Sequence, residues 1–232
     1  MHIAIRHPSA PLRLFRGPDD ATGDTLGSCV MGGVRETAYL KQIGDSGPMV
    51  GAMLRPGMAD PLSGTPAGAL AHRHTRLDDL WRSADLTELR ERLAEAPTLD
   101  RRLAIFEEVL SRRLRNLRAI DPLVAHALLR LNGATPVADL VAESGFSHRH
   151  VVKVFREAVG VSPKTYLRLG RFNRTLHRLH ATGTASLADI AAENGFSDQA
   201  HMTREFGAIA GVTPGRYREL APLKLWHVPL AD

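Results

Sequence analysis

Apolar positions in the second half of the chain recur three and four residues apart, as they do on one face of an amphipathic helix. Gly and Pro residues interrupt this pattern at short intervals, and such residues commonly end helices. The interrupted pattern predicts helices at 122–132, 137–144, 148–159, 163–180, 187–194, 198–210 and 214–220. We therefore expect an all-α domain of seven helices at 121–220, followed by a C-terminal tail at 221–232.

The first 57 residues have a different pattern. Short β-branched and aromatic runs alternate there with Gly, Asp and Pro, which is typical of strands joined by turns. The runs lie at 13–15, 25–34, 36–43 and 48–57. This part of the chain is therefore predicted to be β-rich.

A helical connector is predicted between residues 60 and 117. Two apolar helix faces are formed by Leu86, Leu89 and Leu93, and by Leu103, Phe106, Leu110 and Leu114. Pro97 separates the two helices, and Asp85 and Thr98 are the predicted N-caps. The predicted fold class is α+β, in which a β-rich N-terminal domain with this connector occupies 1–118 and precedes the all-α domain.

Two stretches of the all-α domain repeat one another. ADLVAESGFS at 138–147 aligns with ADIAAENGFS at 188–197, at a constant offset of 50 residues. After one extra residue the offset becomes 51 and pairs Phe155 with Phe206, Gly160 with Gly211, Pro163 with Pro214 and Tyr166 with Tyr217. Solenoid arrays usually need three or more copies, so the doubling favours two copies of one small motif.

Each copy has the features of a helix, a tight turn and a second helix. Gly145 and Gly195 can adopt the left-handed backbone that ends a first helix. Phe146 and Phe196 are predicted to fill the corner between the helices, and Ser147 and Ser197 to cap the second helix. The residues predicted to face inward are Leu140, Val141, Val151, Val154 and Phe155 in copy one, and Ile190, Ala191, Met202 and Phe206 in copy two.

The second helix of each copy carries hydrogen-bond donors and small apolar side chains on its outward face. These residues are His148, Arg149, Val152, Lys153 and Arg156 in copy one, and Gln199, Ala200, Thr203 and Arg204 in copy two. A helix that reads base edges in a DNA major groove requires such a mixture. Any amphipathic helix has a polar face, but here the cap, turn, corner residue and stop recur together, which favours DNA reading.

The segment between the copies, 163–180, has five cations on one side and no Asp or Glu. The cations are Lys164, Arg168, Arg171, Arg174 and Arg178, beside an apolar stripe. Such a run is often solvated surface, and some of its arginines can pair with carboxylates elsewhere, but contact with phosphates also requires it. A helix of this length spans about 27 Å, which can place the two outward-facing helices about 34 Å, or one DNA turn, apart.

Residues 121–220 resemble the DNA-binding domain of the AraC/XylS family of bacterial transcription regulators, which has two helix-turn-helix units joined by a long helix. The resemblance rests on LADIAAENGFSDQAHMTREFGAIAGVTPGRYR at 187–218 and on VADLVAESGFSHRHVVKVFREAVGVSPKTYLR at 137–168. It implies base contacts by Arg149, Val152, Lys153, Gln199, Ala200, Thr203 and Arg204. It implies contacts to the DNA backbone by Ser147, His148, Lys164, Arg168, Arg171, Arg174, Ser197, Arg216 and Arg218. The four phenylalanines Phe146, Phe155, Phe196 and Phe206 are assigned to packing.

The resemblance implies a sequence-specific transcription regulator that reads two successive major grooves of double-stranded DNA. Activation is the commoner mode in the family. The stretch 49–81 resembles the end of an N-terminal effector or dimerisation domain found in some members, so possible partners are a small-molecule effector, RNA polymerase and a second copy of the chain. The alternatives are a non-enzymatic helical module that binds protein and a ligand-binding, enzyme-like N-terminal domain.

Composition is consistent with this interpretation. Lys and Arg number 30 against 25 Asp and Glu, which gives a net charge of +5 and favours an anionic partner. Cys29 is the only cysteine, so no internal disulfide can form and a reducing cytoplasm is the expected location. No run of 18 apolar residues occurs, so neither a membrane span nor a membrane partner is expected.

No catalytic set is visible in the spacing of histidines and carboxylates, so we predict neither an enzyme nor a cofactor. His72 and His74, with Asp78 and Asp79 nearby, could bind a metal, but alternating histidines without a third ligand more often form a polar surface loop, and no metal site is predicted. Cys29 is interpreted as core filler rather than as a sensor. Gly32-Gly33 lacks the context of a phosphate loop and is interpreted as a turn.

Overall fold

The computed structural model describes residues 1–7, 10–17, 19–42, 49–114, 120–132, 135–181 and 185–220. These residues form two compact units. The first unit contains Met1–Arg35 and Tyr39–Pro163, and the second contains Glu36–Ala38 and the chain from Lys164 onward. One copy of the repeated motif therefore lies in each unit. The predicted domain boundary at 118–121 stays a prediction, and the predicted tail at 221–232 lies outside the described residues.

Two antiparallel sheets form the N-terminal part of the first unit. Their strands are β1 (His2–Ile5), β2 (Leu12–Phe15), β3 (Asp24–Gly27), β4 (Cys29–Gly32), β5 (Leu40–Lys41), β6 (Val50–Met53) and β7 (His74–Arg76). The strand order is β6-β1-β4-β7 in the larger sheet and β3-β2-β5 in the smaller one. Ile3 lies opposite Met31, and Ile5 opposite Cys29. Because side chains alternate along a strand, these four residues share one face, and that face is part of the buried core.

Helices cover that apolar face of the larger sheet. They are α1 (Ala59–Ser63), α2 (Ala67–Leu70), α3 (Ser83–Glu95) and α4 (Leu99–Leu114), with a short 3-10 turn at Leu77–Asp79. Leu86, Leu89 and Leu93 are buried as predicted, so the face of α3 is confirmed. Thr98 is also confirmed as a cap, since its Oγ1 accepts a hydrogen bond of 3.2 Å from the Arg101 amide. A β-rich part followed by a helical connector is therefore confirmed.

Several details of the first half differ from the sequence predictions. β1 and β7 were not predicted, since each is only three or four residues long and carries histidine. Gly32, predicted in a turn, lies in β4. Asp85 is not a cap, because Arg82 precedes α3 and the Asp85 carboxylate pairs with Arg113 at 2.6 Å. Leu103 is exposed, and Ile105 instead joins Phe106 in the core.

In the described residues from 120 onward seven helices follow, and their bounds lie within one residue of those predicted. They are α5 (Pro122–Asn132), α6 (Val137–Ser144), α7 (His148–Val159), α8 (Pro163–Ala181), α9 (Leu187–Glu193), α10 (Gln199–Ala210) and α11 (Pro214–Leu220). In the first unit α5, α6 and α7 bury Val124, Leu140, Val151 and Phe155. In the second unit α8 to α11 share a core of Leu176, Leu179, Ile190, Ala191, Phe196, Met202, Phe206 and Tyr217. Among the described helices, none is long and apolar enough to cross a membrane.

Candidate nucleic-acid interface

The first copy of the repeat forms a helix, a tight turn and a capped second helix. α6 ends at Ser144, and Gly145 follows with a φ of 70°, in the left-handed region where glycine is favoured. Ser147 Oγ accepts a hydrogen bond of 3.3 Å from the His150 amide and caps α7, as predicted. The prediction that Phe146 fills the corner is wrong, because this ring is 52% exposed and stacks on His150.

The second copy has the same order of elements with a different cap. α9 ends at Glu193, and Gly195 has a φ of 75°. Phe196 is buried in the corner, as predicted. The cap of α10 is Asp198 and not Ser197, because the Asp198 carboxylate accepts a hydrogen bond of 2.6 Å from the His201 amide. That bond lowers the pKa of Asp198, so the cap is charged at neutral pH and lies where a helix N-terminus favours an anion.

The outward face of α10 carries the predicted donors. Gln199, Ala200 and Arg204 are exposed, and Thr203 is half-buried. Thr203 Oγ1 donates a hydrogen bond of 2.9 Å to the Gln199 carbonyl oxygen one turn earlier, so its proton is already used within the helix. Within the described residues, the guanidinium of Arg204 has no hydrogen-bonded partner. The Arg204 guanidinium is therefore available to donate hydrogen bonds to a ligand.

The outward face of α7 is only partly open. Arg149 and Lys153 are exposed and Val152 is half-buried. Together with His148, Arg156 and Glu157 they line one wall of a cleft of about 740 Å³, whose other wall is Pro66, Gly68 and Ala69 of the α2 region. A Cβ at Gly68 would lie 3.1 Å from the Arg156 carbonyl oxygen, so α2 packs closely on the C-terminal part of α7. Ser147, His148 and Arg149 at the start of the helix are exposed, and so is Lys153 one turn after Arg149.

Three of the five cations predicted to follow phosphates along α8 are paired with carboxylates. Arg171 donates two hydrogen bonds to Glu205, at 3.0 and 3.2 Å, and lies over the Phe196 ring. Arg178 pairs with Glu193 at 2.8 Å, and Arg168 lies 3.9 Å from Glu36. The sequence analysis expected some of these arginines to pair with carboxylates but did not identify the carboxylates, because they come from other segments. Lys164 and Arg174 are exposed, with no hydrogen-bonded side chain in the described parts of the chain.

The remaining predicted backbone contacts lie in the second unit. Ser197 is exposed and its hydroxyl donates to Asp198, while Arg216 is exposed and pairs with Glu219 at 3.2 Å. Arg218 is half-buried, and its Nε and Nη2 atoms are buried without a partner in the described residues. The carboxylate of Asp198, which sequence reasoning missed, accepts the hydrogen bond from the Ser197 hydroxyl. The sequence did contain a signal for this cap, because Asp198 lies at the start of a predicted helix and aspartate is strongly preferred at the N-cap position.

These observations define a protein with two helix-turn-helix motifs, each with an exposed second helix. A family model described as a helix-turn-helix domain matches residues 140–220. PqrA of Proteus vulgaris, named as a probable transcription factor, is 31% identical over 91 residues, which cover 39% of this chain and 74% of that protein. The chain belongs to the AraC/XylS family of DNA-binding transcription regulators.

Other similarities cover smaller parts or are weaker. The F1 operon positive regulatory protein of Yersinia pestis is 39% identical over 79 residues, which are 34% of this chain and 26% of that protein. The chain thus spans about a quarter of that relative, and about a third of two others. A solved structure of ToxT from Vibrio cholerae aligns with 94% of this chain and 89% of its own, at 14% identity and a TM-score of 0.48. Similarity at this level does not allow a ligand or an activity of ToxT to be assigned to this chain.

Proposed function

We propose that this protein regulates transcription by binding a specific double-stranded DNA sequence with α7 and α10. The observation that carries the proposal is the second helix-turn-helix motif, where a capped helix presents Gln199, Ala200 and Arg204 to solvent. Arginine can donate two hydrogen bonds to guanine, glutamine can pair with adenine, and alanine can contact the methyl group of thymine. Ala200 and Arg204 lie four residues apart, about one helical turn, and Gln199 directly precedes Ala200.

The two recognition helices are proposed to contribute unequally. In α10, Gln199, Ala200, Thr203 and Arg204 are the proposed base contacts. In α7, Arg149, Val152 and Lys153 are the proposed base contacts, and α2 packs on the C-terminal part of this helix. Recognition helices commonly contact bases with their N-terminal residues. We therefore assign Arg149 the larger role in α7 and most of the sequence discrimination to α10.

Contacts to phosphates are proposed to position the protein on the duplex without selecting sequence. The hydroxyls of Ser147 and Ser197, the His148 ring and the cations Lys164, Arg174 and Arg216 are exposed and belong to this set. Arg168, Arg171 and Arg218 are half-buried. Arg168 and Arg171 pair with carboxylates, so these two would have to exchange or share a partner to contact phosphate. Lys164 and Arg174 are the strongest candidates on α8.

The direction of regulation is proposed as activation, since one relative is named as a positive regulatory protein. The relatives described above are regulators, and we infer that this protein has no enzyme activity. RNA polymerase, a small-molecule effector and a second copy of the chain are the proposed further partners. Each would act through the family's general scheme, in which DNA binding by one part of the chain is controlled by another.

Replacing Arg174 by Gln is expected to reduce the salt dependence of DNA binding. Each phosphate contact that a cation neutralises contributes a slope of about −0.9 to log K against log salt. The Arg174 side chain is exposed, so its loss should make the slope less negative by about 0.9 on random and specific duplexes alike. Fluorescence anisotropy of a labelled duplex, titrated at several salt concentrations, gives the slope directly.

Arg178→Gln is the matched control, because Arg178 lies one turn further along α8 and pairs with Glu193. We expect its slope to equal that of the unsubstituted protein. Equal slopes for all three proteins would remove Arg174 from the interface. A slope near zero in the unsubstituted protein would overturn DNA binding altogether and favour the helical module that binds protein.

A further inference from the structure

A chain of hydrogen bonds runs through the second helix-turn-helix motif, from α8 to the start of α10. Arg171 of α8 donates to both carboxylate oxygens of Glu205, at 3.0 and 3.2 Å. Glu205 Oε1 lies 3.4 Å from Nε2 of His201, one turn earlier on α10. His201 Nδ1 lies 3.1 Å from the hydroxyl oxygen of Ser197, which is exposed just before the helix. The chain of hydrogen bonds thus ends on a residue that is proposed above to contact a DNA phosphate.

The Ser197 amide determines which nitrogen of His201 carries the proton. This amide nitrogen lies 3.4 Å from Nδ1, and an amide N–H only donates, so Nδ1 accepts. The proton of the neutral ring therefore lies on Nε2, where it is donated to the Glu205 carboxylate. The Glu205 carboxylate is held in turn by Arg171. Partners on both sides of the imidazole thus select one tautomer.

The Ser197 hydroxyl has more acceptors around it than it can satisfy. Its oxygen lies 3.1 Å from His201 Nδ1 and 3.2 Å from a carboxylate oxygen of Asp198, and both of these atoms accept. A hydroxyl has one proton to donate. The oxygens of a DNA phosphate also only accept, so a phosphate would compete for the same proton. Ser197 is therefore poorly prepared to bind a phosphate while His201 is neutral.

Two carboxylates flank the His201 ring. The hydrogen bond from the His201 amide lowers the pKa of Asp198, so this carboxylate is charged at neutral pH. Glu205 accepts from the other side of the ring. A phosphate bound beside Ser197 would add a third negative charge close to the imidazole. Because nearby negative charge favours the charged form of an imidazole, DNA binding at this point favours proton uptake by His201.

The nearest cations act on the ring through these carboxylates. Arg171 holds Glu205, and the charge of Arg204 acts on Asp198. Both cations favour the neutral ring, so the charge of the phosphate has to offset them. In the described residues 185–220, the charged groups of the neighbouring helices α9 and α11 make no hydrogen bond or ion pair with the ring; they are Asp189, Glu193, Arg216, Arg218 and Glu219.

We propose that His201 is a positioning residue, which takes up a proton when DNA binds and thereby frees Ser197 to contact a phosphate. The proton comes from solvent and binds Nδ1, while the Nε2 proton stays donated to Glu205. Nδ1–H then donates to the Ser197 hydroxyl oxygen, so the hydroxyl and the amide N–H of Ser197 can both donate to one phosphate. Donors at the start of a helix commonly hold phosphates. This proposal rests on the proposed function, since it requires that α10 binds DNA.

The first copy of the motif has the histidine without the carboxylate that holds it. His150 occupies the position of His201, 51 residues earlier, but Val154 occupies the position of Glu205. The His150 ring stacks on Phe146 instead. His150 is therefore the matched control, because it is an exposed histidine at the equivalent position of α7 that lacks the hydrogen-bond chain.

The test measures binding of one selected duplex by the full chain from about pH 6 to about pH 8, a range in which imidazoles change charge, at constant ionic strength. Uptake of one proton strengthens binding as the pH falls, by up to about tenfold per pH unit. His201→Gln cannot take up this proton. Its affinity should therefore equal that of the unsubstituted protein at the high end of the range and be roughly tenfold weaker at the low end.

Two further variants show whether His201 acts through Ser197. His150→Gln should follow the unsubstituted protein across the whole range. Ser197→Ala should lose the same pH-dependent part of the affinity as His201→Gln, and the double variant should lose little more, since the two residues act as one unit. Equal pH dependence in folded His201→Gln and in the unsubstituted protein would overturn the proposal.

Nuclear magnetic resonance of the unsubstituted protein separates this proposal from the proposed function. The 11 histidines are labelled with ¹⁵N, and the His201 ring is assigned through its own backbone amide. We expect a neutral ring with the proton on Nε2 in the free protein, and protonation of Nδ1 when the duplex is added at the same pH. A free ring with its proton on Nδ1, or a ring that stays neutral in a formed complex, would overturn this proposal alone. Absence of any complex across the pH range would overturn the proposed function as well.

Discussion

Phe196→Ala should lower the free energy of unfolding of the second unit by about 3–5 kcal/mol, the usual range for a buried phenylalanine. The Phe196 ring is 7% exposed and joins the core of α8 to α11. It contacts the His201 ring edge to face at 5.4 Å, and the Arg171 guanidinium lies 5.6 Å from its centroid. Alanine would leave a cavity at the turn and would release Arg171, which holds Glu205 of α10.

Phe146→Ala is the matched control at the equivalent position of the first copy. Because Phe146 is 52% exposed and contacts mainly the His150 ring, its loss should change the free energy of unfolding by less than about 1 kcal/mol. Urea unfolding followed by far-ultraviolet circular dichroism gives both values. Similar losses for the two variants would mean that the corner residues are equivalent, as the repeat in the sequence suggests, and that Phe146 is buried in solution.

Arg204→Met should weaken binding to the selected DNA sequence by about 1–3 kcal/mol, or roughly 5- to 150-fold, and leave binding to random duplexes nearly unchanged. Arg204 is exposed on the outward face of α10, one turn after Ala200, and can reach a guanine edge. Methionine keeps the length and helix propensity of the side chain while removing its five donors. Equilibrium titration of both duplexes at one salt concentration measures the difference.

Arg216→Met serves as the comparison, since Arg216 lies on α11 and is proposed to contact a phosphate. Its loss should weaken specific and random binding by the same factor. If Arg204→Met also weakens both equally, Arg204 contacts a phosphate and does not read a base. If it weakens neither, the outward face of α10 is not the recognition surface.

The helices of the second half could be predicted from the sequence because their signals are local. Gly145 and Gly195 end a helix by their own conformational freedom, and the apolar spacing in 122–220 identifies each buried face without knowledge of the partner. Ser147 could be predicted as a cap for the same reason. Asp198 was missed because Ser197 and Asp198 are both good caps, and only the backbone geometry selects between them.

Features that depend on distant residues could not be predicted. Phe146 and Phe196 occupy equivalent positions, but only in the second unit do α8 and its Arg171 cover the corner. The cations of α8 were correctly placed on one side, but their pairing with Glu205 and Glu193 requires the packing of α8 against α9 and α10. The base-contacting and phosphate-contacting assignments remain predictions.

The N-terminal half was harder to predict for a similar reason. Its strands are two to four residues long, so alternation gives little signal, and His74 belongs to an edge strand whose one neighbour in the described sheet, β4, lies more than forty residues earlier. The alternating histidines HRH gave no sign that one is exposed and the other is buried. His74 is buried because strand pairing places it opposite Gly32, and the sequence pattern alone does not specify that pairing.

Selection of bound sequences from a random duplex pool, with the full chain at two salt concentrations, tests the central claim most directly. Two recognition helices in one chain predict enrichment of two short sequence blocks about ten base pairs apart, the length of one DNA turn. The block read by α10 should be the better defined, since α2 restricts α7. Enrichment of a single block would limit base reading to one motif. Salt-sensitive binding without any enrichment would contradict sequence-specific regulation.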